Sequence, residues 1–400
     1  MAETPEHREH WAPGPHGPPP APHRPRDEAG GRGGHLGSPP PPPPAADGAP
    51  AAGPVPSGPP PSTAPPVAAP TAPPASSPAP AGGDADAARR AVLAVRDEIA
   101  KVVVGQDGTV SGLVSSLLIG GHVLLEGVPG VAKTLLVKAM SAALDLRFSR
   151  VQFTPDLMPS DVTGQLVLDP SNRHFEFREG PLFTNVLLAD EINRTPPKTQ
   201  AALLEAMEER QVSVEGRSRA LPRPFMVVAT QNPVEHEGTY PLPEAQLDRF
   251  LFKLVVPYPN VGEEREVVKR HHVGAIPHDP VDAGVRPVAG PADLAEAAAQ
   301  VERVRVDDVV VDYVVAVARA TRDAPSVLLG ASPRGAVALL NAAKAWAWLS
   351  GRPYVTPDEV KAVARPVLAH RLVVRPELEL EGLDAARVLD TILGTVPVPR

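Results

Sequence analysis

One short segment of the chain carries residues suited to binding phosphate. It follows an apolar run and opens a predicted helix, and backbone N–H groups of such a loop can surround a β-phosphate. Lys133 can reach the β- and γ-phosphate oxygens, and the Thr134 hydroxyl can bind Mg²⁺. Ala132 stands where the standard pattern has glycine, which is compatible with binding if this alanine already lies in the first helical turn. The predicted nucleotide-binding set is Gly127, Val128, Pro129, Gly130, Val131, Ala132, Lys133, Thr134 and Leu135.

Two adjacent acids follow a second apolar run. Residues 186–189 are all apolar and lead directly into Asp190 and Glu191. A buried strand that ends in carboxylates needs an explanation, because unpaired buried carboxylates are costly. We expect Asp190 to hold Mg²⁺ and Glu191 to polarise the water that attacks a γ-phosphate. Together with the loop, these acids predict that the ligand is Mg-ATP and that the reaction is its hydrolysis.

A third polar residue follows another apolar strand. Asn232 lies just past residues 225–230, and its amide could orient the attacking water between Glu191 and the γ-phosphate. Asn-Pro is also common in turns. The assignment of Asn232 therefore depends on the other two elements.

Composition limits the classes of protein to which the chain can belong. Its 39 basic and 47 acidic residues leave a net charge of -8, so we expect no nucleic-acid partner. It has no cysteine, which excludes disulfides and thiolate metal sites and fits a reducing cytoplasm. The N-terminus lacks the pattern of a signal peptide, and no stretch has about 18 uninterrupted apolar residues. We expect a soluble, cytoplasmic protein with no membrane insertion.

Composition also divides the chain near residue 84. About half of the 53 prolines lie in residues 1–83, where branched aliphatic residues are rare. Such a segment cannot bury enough apolar area to offset its ordering entropy, so we predict a disordered proline-rich tail. A solvated tether is favoured over a docking arm for a proline-recognising partner, because composition alone specifies no partner.

From residue 84 to 260, helical and strand patterns alternate, which predicts an α/β domain with a parallel sheet and helices on both faces. Two predicted β-hairpins, residues 164–177 and 211–221, interrupt this alternation. They are plausible contact elements, but surface excursions without a role explain them equally well. Alanine-rich helical patterns dominate residues 261–400, a predicted helical domain with an irregular connection at 276–291. Predicted strands span 122–126, 147–153, 185–189, 225–230 and 252–256, and predicted helices span 109–119, 133–144, 196–209, 307–320, 333–349 and 357–364.

Several strings of residues together resemble the MoxR branch of the AAA+ ATPases. The resemblance covers roughly residues 90 to 395 and includes the Ala-Lys-Thr form of the phosphate-binding loop. It implies an AAA+ P-loop NTPase core with two hairpin inserts, followed by an all-helical lid. The strings are Val-Gly-Gln at 104–106, Ala-Asp-Glu-Ile-Asn-Arg at 189–194, Thr-Gln-Ala-Ala-Leu-Leu-Glu-Ala-Met at 199–207, Ala-Thr-Gln-Asn-Pro at 229–233, Pro-Glu-Ala-Gln-Leu-Asp-Arg-Phe at 243–250 and Ala-Ser-Pro-Arg-Gly at 331–335.

The resemblance also implies roles for individual residues. Val104 and Gly105 would lie by the adenine, and Asn232 would be sensor 1. Arg249 would be an arginine finger inserted into the ATP site of a neighbouring subunit, although from residues alone a surface ion pair would be favoured. Arg334 would be the sensor 2 arginine of the lid, acting either in cis or in trans. An arginine finger contributes about 10³ to 10⁵ in rate, so a finger in trans implies a ring, for which six subunits are expected.

The function that the resemblance implies is an ATP-driven, chaperone-like motor that remodels or matures partner proteins. A von Willebrand factor A domain protein is the first client to consider, and the two hairpins match inserts that could contact a substrate or a pore. Two alternatives stay open. One is the motor subunit of a metal chelatase, and the other is a nucleotide-gated scaffold that acts through its proline-rich tail.

Overall fold

The computed structural model describes residues 82–169, 174–232, 240–272, 274 and 279–399. Of the tail expected at residues 1–83, residues 1–81 lie outside the described residues. Helix α1 begins at the next residue, Gly82. The helices are α1 (Gly82–Ala100), α2 (Asp107–Leu118), α3 (Lys133–Ala143), α4 (Pro159–Thr163), α5 (Pro197–Glu209), α6 (Glu244–Leu247), α7 (Val261–His272), α8 (Pro291–Glu302), α9 (Asp308–Asp323), α10 (Pro333–Leu349), α11 (Pro357–Leu368), α12 (Pro376–Leu380) and α13 (Ala385–Thr395), with short 3₁₀ turns at Ile192–Arg194 and Ala369–Arg371. The strands are β1 (Val123–Glu126), β2 (Phe148–Gln152), β3 (Gly164–Asp169), β4 (His174–Glu179), β5 (Val186–Asp190), β6 (Gln211–Val214), β7 (Arg217–Ala220), β8 (Met226–Gln231), β9 (Phe252–Val255), β10 (Val327–Leu329) and β11 (Val373–Val374).

Five strands form a parallel sheet in the order β2-β5-β8-β1-β9. Every residue of β5 is buried, as expected for a strand with helices on both faces. The register pairs Glu126 of β1 with Gln231 of β8, and Ala189 of β5 with Ala229 of β8. The carboxyl ends of these three strands therefore meet at one edge of the sheet. The predicted α/β core is confirmed.

Alternate residues of each central strand pack into different cores. Val123 and Leu125 of β1 belong to a cluster that also contains α2, α3 and the helices of the C-terminal part of the chain. Leu124, between them, belongs to a second cluster with Leu203 and Leu204 of α5. This alternation follows from the two-residue period of a strand. Each strand position is thereby assigned to one face of the sheet.

Both predicted hairpins are present as separate two-stranded antiparallel ribbons, β3-β4 and β6-β7. The β3-β4 ribbon exposes apolar side chains, among them Leu168 and Phe175. Residues 170–173, which connect its strands, lie outside the described residues. The hairpin inserts of the predicted fold class are therefore confirmed.

The C-terminal part of the chain is a helical lid, as predicted, with one small addition. Helix α10 packs against α11 and α9, and their buried residues share a core with one face of the sheet. The addition is the short antiparallel pair β10-β11, in which Val327 pairs with Val374. The helices α7, α8, α12 and α13 also had no individual prediction. Of the expected irregular connection at 276–291, residues 279–290 contain turns and no helix or strand, and 275–278 lie outside the described ranges.

Within the described ranges, no helix combines the length and the apolar character needed to cross a lipid bilayer.

The backbone at Ala132 differs from the expectation. Helix α3 begins at Lys133, and Ala132 precedes it as the N-cap with φ 59° and ψ 24°, a left-handed conformation. The interpretation that Ala132 lies in the first helical turn is therefore wrong. The loop enters α3 through a left-handed residue, as it would with glycine, and the methyl group of an L-residue makes that conformation cost about 1–2 kcal/mol. The loop therefore holds Ala132 in a backbone conformation that alanine does not favour.

Replacing Ala132 with glycine should therefore stabilise the protein, or leave its stability unchanged. Glycine relieves the left-handed strain but increases the freedom of the unfolded chain, so we expect a gain of up to about 1 kcal/mol in the free energy of unfolding. The control is Ala142→Gly in the last turn of the same helix, where the backbone is right-handed, and it should lose up to about 1 kcal/mol. Urea unfolding of the two variants checks this, and equal losses in both would contradict the assigned conformation.

His122 is a buried histidine at the start of β1. Its Nδ1 accepts a hydrogen bond from the Val227 N–H at 3.0 Å, and its Nε2 lies 3.1 Å from the Met207 carbonyl oxygen. These partners suit the neutral ring with its proton on Nε2. Burial lowers the pKa of His122 to about 4, from an ordinary value of 6.5. The neutral ring thus links β1 to β8 and α5.

The stability of the protein should consequently fall as the pH is lowered from 6.5 towards 4. In that range the unfolded histidine binds a proton and the folded one does not, so acid favours the unfolded chain; the contribution, on the order of 3 kcal/mol, is present above pH 6.5. His122→Asn should weaken this pH dependence, whereas His271→Asn, at an exposed site on α7, should not. Urea unfolding at a series of pH values measures it. An unchanged slope in His122→Asn would show that the ring is not held neutral.

Candidate nucleotide-binding site

A cavity of about 380 Å³ opens at the carboxyl edge of the sheet, beside the N-terminus of α3. It unites residues from all three sequence segments that were singled out for phosphate chemistry. Its volume lies in the usual range for ligand sites in proteins. The lining residues are Pro129, Gly130, Ala132, Lys133, Thr134, Leu135, Asp190, Glu191, Thr230 and Asn232.

The loop before α3 is packed closely against the sheet. A side chain at Gly127 would place its Cβ 2.8 Å from the Val256 carbonyl oxygen, so this position requires glycine. Gly130 has φ +86°, and the Lys133 ammonium donates to the carbonyl oxygens of Gly127 and Val128. The N-cap residue Ala132 makes no side-chain cap hydrogen bond to α3, and N–H groups at a helix N-terminus suit phosphate oxygens.

Asp190 is held by two neighbouring strands. Its Oδ1 accepts a hydrogen bond of 2.6 Å from the Thr230 hydroxyl on β8. Its Oδ2 accepts two from Arg150 on β2, at 3.1 Å from Nε and 2.7 Å from Nη2. A buried carboxylate with a charged partner on one side and a hydroxyl on the other is both paired and oriented. The Asp190 carboxylate is therefore held at the cavity wall.

Glu191 leaves the line of β5 through a left-handed backbone conformation with φ 58° and ψ 50°. Its N–H donates to the Thr230 hydroxyl at 2.9 Å, so one threonine holds both acids. The Glu191 carboxylate lies 3.1 Å from Arg194 Nε, where the two charges form an ion pair. Left-handed backbone at a non-glycine residue is costly and is concentrated at functional sites. Here it turns the second acid into the cavity.

The remaining predicted residues of a nucleotide site divide into two groups. Asn232 is buried and lines the cavity, as its position after β8 led us to expect. Val104 and Gly105 do not line it. Gly105 lies instead against α7, where an added Cβ would come 2.8 Å from the Glu263 carboxylate.

Arg249 and Arg334 lie together in a second cavity, of about 260 Å³. Arg334 donates from both terminal nitrogens to the Glu208 carboxylate, at 3.1 and 2.8 Å. Arg249 Nε lies 3.9 Å from the same carboxylate. The hydrogen bond from Arg334 holds the pKa of Glu208 below its usual value, so this acid is ionised beside both arginines. The structure thus brings the two predicted arginines together, but away from the first cavity.

The two cavities lie at opposite edges of the sheet. Gly120, Gly121 and His122 line the second cavity and precede β1, whereas the phosphate-binding loop follows β1. The strand between them rises about 13 Å. Among the described residues, no lining residue is common to both cavities. Within one protomer, Arg249 and Arg334 therefore do not belong to the cavity formed by Lys133 and Asp190.

The residues at the first cavity suit a magnesium ion bound together with a nucleotide. The Thr134 hydroxyl and the Asp190 carboxylate supply the hard oxygen ligands that Mg²⁺ prefers. Within the part of the chain that the structure describes, no group of three or more acidic or histidine side chains forms a metal cage. An ion held by these two residues would take its other ligands from phosphate oxygens and water.

Several residues of the two cavities have no sequence prediction. Thr230 and Arg150 lie inside strands and contact Asp190 only across neighbouring strands. Glu208 lies in the last turn of α5 as one acid among several. Thr230 lies within one of the quoted family strings and Glu208 directly follows another, so the sequence carried a signal for both. It carried none for Arg150.

Comparisons with known proteins agree with this geometry. Residues 122–252 match the model of the ATPase family associated with various cellular activities (AAA), and residues 319–392 match an AAA lid domain. The chain is 48% identical over 303 residues to the protein YeaC of Bacillus subtilis, covering 76% of this chain and 93% of YeaC. It is 45% identical over 312 residues to chaperone MoxR1 of Mycobacterium tuberculosis, covering 76% and 81% of the two chains.

A solved structure extends the comparison to the fold. A candidate ATPase from Cytophaga hutchinsonii superposes with a TM-score of 0.73 at 40% sequence identity, covering 79% of this chain and 97% of the other. The matches thus include both the sheet with its phosphate-binding loop and the helical lid. On these grounds the chain belongs to the MoxR family of AAA+ ATPases.

Proposed function

We propose that the protein binds Mg-ATP in the first cavity and hydrolyses the bond between its β- and γ-phosphates. The observation that carries this proposal is the convergence of Lys133, Thr134, Asp190, Glu191 and Asn232 on one cavity, from three separate segments of the chain. A structural loop without catalytic function has no need of two acids and an amide at the same edge. The loop glycines and the N-terminus of α3 support phosphate binding at that edge.

Each residue then has a chemical role. Backbone N–H groups of the loop and the Lys133 ammonium bind the β- and γ-phosphate oxygens. Thr134 and Asp190 hold Mg²⁺, which neutralises charge on the phosphates. Glu191 accepts a proton from the attacking water, and Asn232 orients that water. For Glu191 to act as this base, its carboxylate must exchange the ion pair with Arg194 for a contact with water.

The second cavity supports a site completed by another subunit. Arg249 and Arg334 lie at the opposite edge of the sheet from the loop of their own protomer, and both are directed at one anion, Glu208. We propose that they contact the γ-phosphate of ATP bound to a neighbouring subunit, so that both act in trans. Contact of one edge with the opposite edge of a neighbour is a head-to-tail interface, which forms a ring when the rotation between subunits closes. A hexamer is the ring that we propose.

The energy of hydrolysis would serve to remodel partner proteins. The relative from Mycobacterium tuberculosis is named a chaperone, and the exposed apolar side chains of the β3-β4 ribbon suit transient contact with a protein client. A von Willebrand factor A domain protein is the client that we would test first. Enrichment of such a protein with a hydrolysis-deficient ring would support this part of the proposal.

Glu191→Gln should bind ATP with nearly unchanged affinity but lose most of its turnover. The amide keeps the shape of the side chain and cannot take a proton, so we expect kcat to fall by about 10² to 10⁴. Nucleotide binding and phosphate release measure the two properties separately. Glu205→Gln, at an exposed site on α5, is the matched control and should hydrolyse ATP normally. Normal turnover in Glu191→Gln would show that Glu191 is not the base.

A mixture of two inactive variants should recover activity if Arg249 acts in trans. Glu191→Gln subunits keep the arginine, and Arg249→Ala subunits keep the base. A site is therefore complete where the ATP-binding face of an Arg249→Ala subunit meets the arginine of a Glu191→Gln subunit. Random mixing in a ring of head-to-tail contacts should restore about a quarter of the sites. Co-expression with two purification tags, followed by ATPase assays of doubly purified rings, measures this. No recovery in such mixed rings would contradict action in trans.

A further inference from the structure

The lid makes a buried polar contact with the segment that carries Arg249. Arg371, at the end of the 3₁₀ turn after α11, has a side chain that is only 3% exposed. Its Nε donates to Asp248 Oδ1 at 2.7 Å, and its Nη2 donates to the carbonyl oxygens of Phe250 at 2.8 Å and Asp248 at 3.2 Å. Its Nη1 lies 3.2 Å from the Leu251 carbonyl oxygen. One guanidinium of the lid thus bonds to residues on both sides of Arg249.

The remaining contacts of Arg371 complete its hydrogen bonding. Nη1 also donates to the Val367 carbonyl oxygen in the last turn of α11 and lies 3.0 Å from His370 Nε2. Burial lowers the pKa of His370 to about 3, so the neighbouring ring is neutral and does not repel the guanidinium. A buried arginine is costly unless its charge is paired and its N–H groups are satisfied. Here Asp248 supplies the opposite charge and backbone carbonyls supply the other acceptors.

The second oxygen of Asp248 also binds the lid. Ser332 Oγ lies 3.1 Å from Asp248 Oδ2, and the same hydroxyl caps α10 by accepting from the Gly335 N–H at 3.1 Å. Ser332 precedes Arg334 by a single proline. The contact that ties the lid to Asp248 therefore also lies beside the other arginine of the second cavity.

None of these hydrogen bonds involves the Arg249 side chain itself. Its neighbours Asp248 and Phe250 are fixed through a carboxylate and two carbonyl groups, and the Phe250 side chain is fully buried. The Arg249 side chain is 34% exposed and extends towards Glu208. A backbone fixed on both sides with a projecting side chain is the arrangement expected where a guanidinium must reach an external target. Loss of about 1 Å in such positioning can cost a factor of 10² in rate.

We propose that Arg371 is a positioning residue. Through its bonds to Asp248, and together with Ser332, it fixes the segment that carries Arg249 to the lid. The lid then determines the position of the arginine that reaches the neighbouring subunit. This inference rests on the proposed action of Arg249 in trans. It assigns to the lid a part in the hydrolysis of a neighbour's ATP. Arg249 and Arg334 then approach the neighbour as one unit.

The test uses Arg371→Lys in the full-length protein. Lysine keeps the charge but cannot bond to Asp248 and three carbonyl groups at once. We expect kcat to fall by about 10- to 100-fold, with KM for ATP near the wild-type value, since the first cavity is unchanged. Arg365→Lys, at an exposed position on α11 just before the 3₁₀ turn that contains Arg371, is the matched control and should behave as wild type. Wild-type kcat in Arg371→Lys would overturn the proposal.

Mixed rings distinguish lost positioning from general damage. Glu191→Gln subunits have an intact Arg249 segment, so they should restore activity to Arg371→Lys subunits in doubly purified rings. Arg249→Ala subunits should not, because neither partner then offers a well-placed arginine. Rescue by Arg249→Ala, or no rescue by Glu191→Gln, would overturn the proposal.

Two further measurements keep the outcome unambiguous. If Arg371→Lys fails to assemble, Asp248→Asn replaces it with the same expectations, because the amide keeps the shape of the carboxylate and loses its charge. The reference mixture of Glu191→Gln with Arg249→Ala tests action in trans by itself. Failure of that reference would reject the proposed action of Arg249 in trans, and with it this inference. Failure of the Arg371→Lys rescue beside a successful reference would reject the inference alone.

Discussion

The parallel pairing of β5 with β8, and of β8 with β1, is the constraint on which the nucleotide site depends. It brings three chain segments, distant in sequence, to one edge of the sheet. Thr230 shows how strict the pairing must be, since one hydroxyl on β8 bonds to both the Asp190 carboxylate and the Glu191 N–H. A shift of one residue in register would turn Thr230 to the other face and break both bonds.

The same sheet separates the two halves of the proposed reaction. Its carboxyl edge carries the phosphate-binding loop and the acids, and its amino edge carries Arg249 and Arg334 beside the lid. A rigid sheet cannot bring its own opposite edges together. The protein can therefore combine these groups only by meeting another copy of itself. The buried bonds of Arg371 connect the amino edge to the lid. Under the proposed action in trans, the geometry of one subunit's lid would therefore affect the site of the next.

The sequence predicted the features that depend on local pattern. Apolar runs ending in acids located β5 and its carboxylates, and alternation of strands with helices predicted the parallel sheet. Features that depend on contacts across the fold were missed. Arg150 and Thr230 act through neighbouring strands, and an isolated arginine such as Arg371 gives no sign in sequence that it is buried. Ala132 was assigned the helical conformation that alanine prefers, whereas the loop requires a left-handed one. The strands β10 and β11 are too short to show a period.

Glu208 gives each protomer its own counter-anion for the arginine pair. Its carboxylate is hydrogen-bonded to Arg334 and lies 3.9 Å from Arg249, so in a lone protomer it offsets one of the two positive charges. Docking against a neighbour's triphosphate would then be an exchange of one anion for another, with little net desolvation of charge. Such an exchange also works in reverse. After release of that phosphate, the Glu208 carboxylate would again pair with Arg334, so the contact between subunits would loosen with less exposed charge.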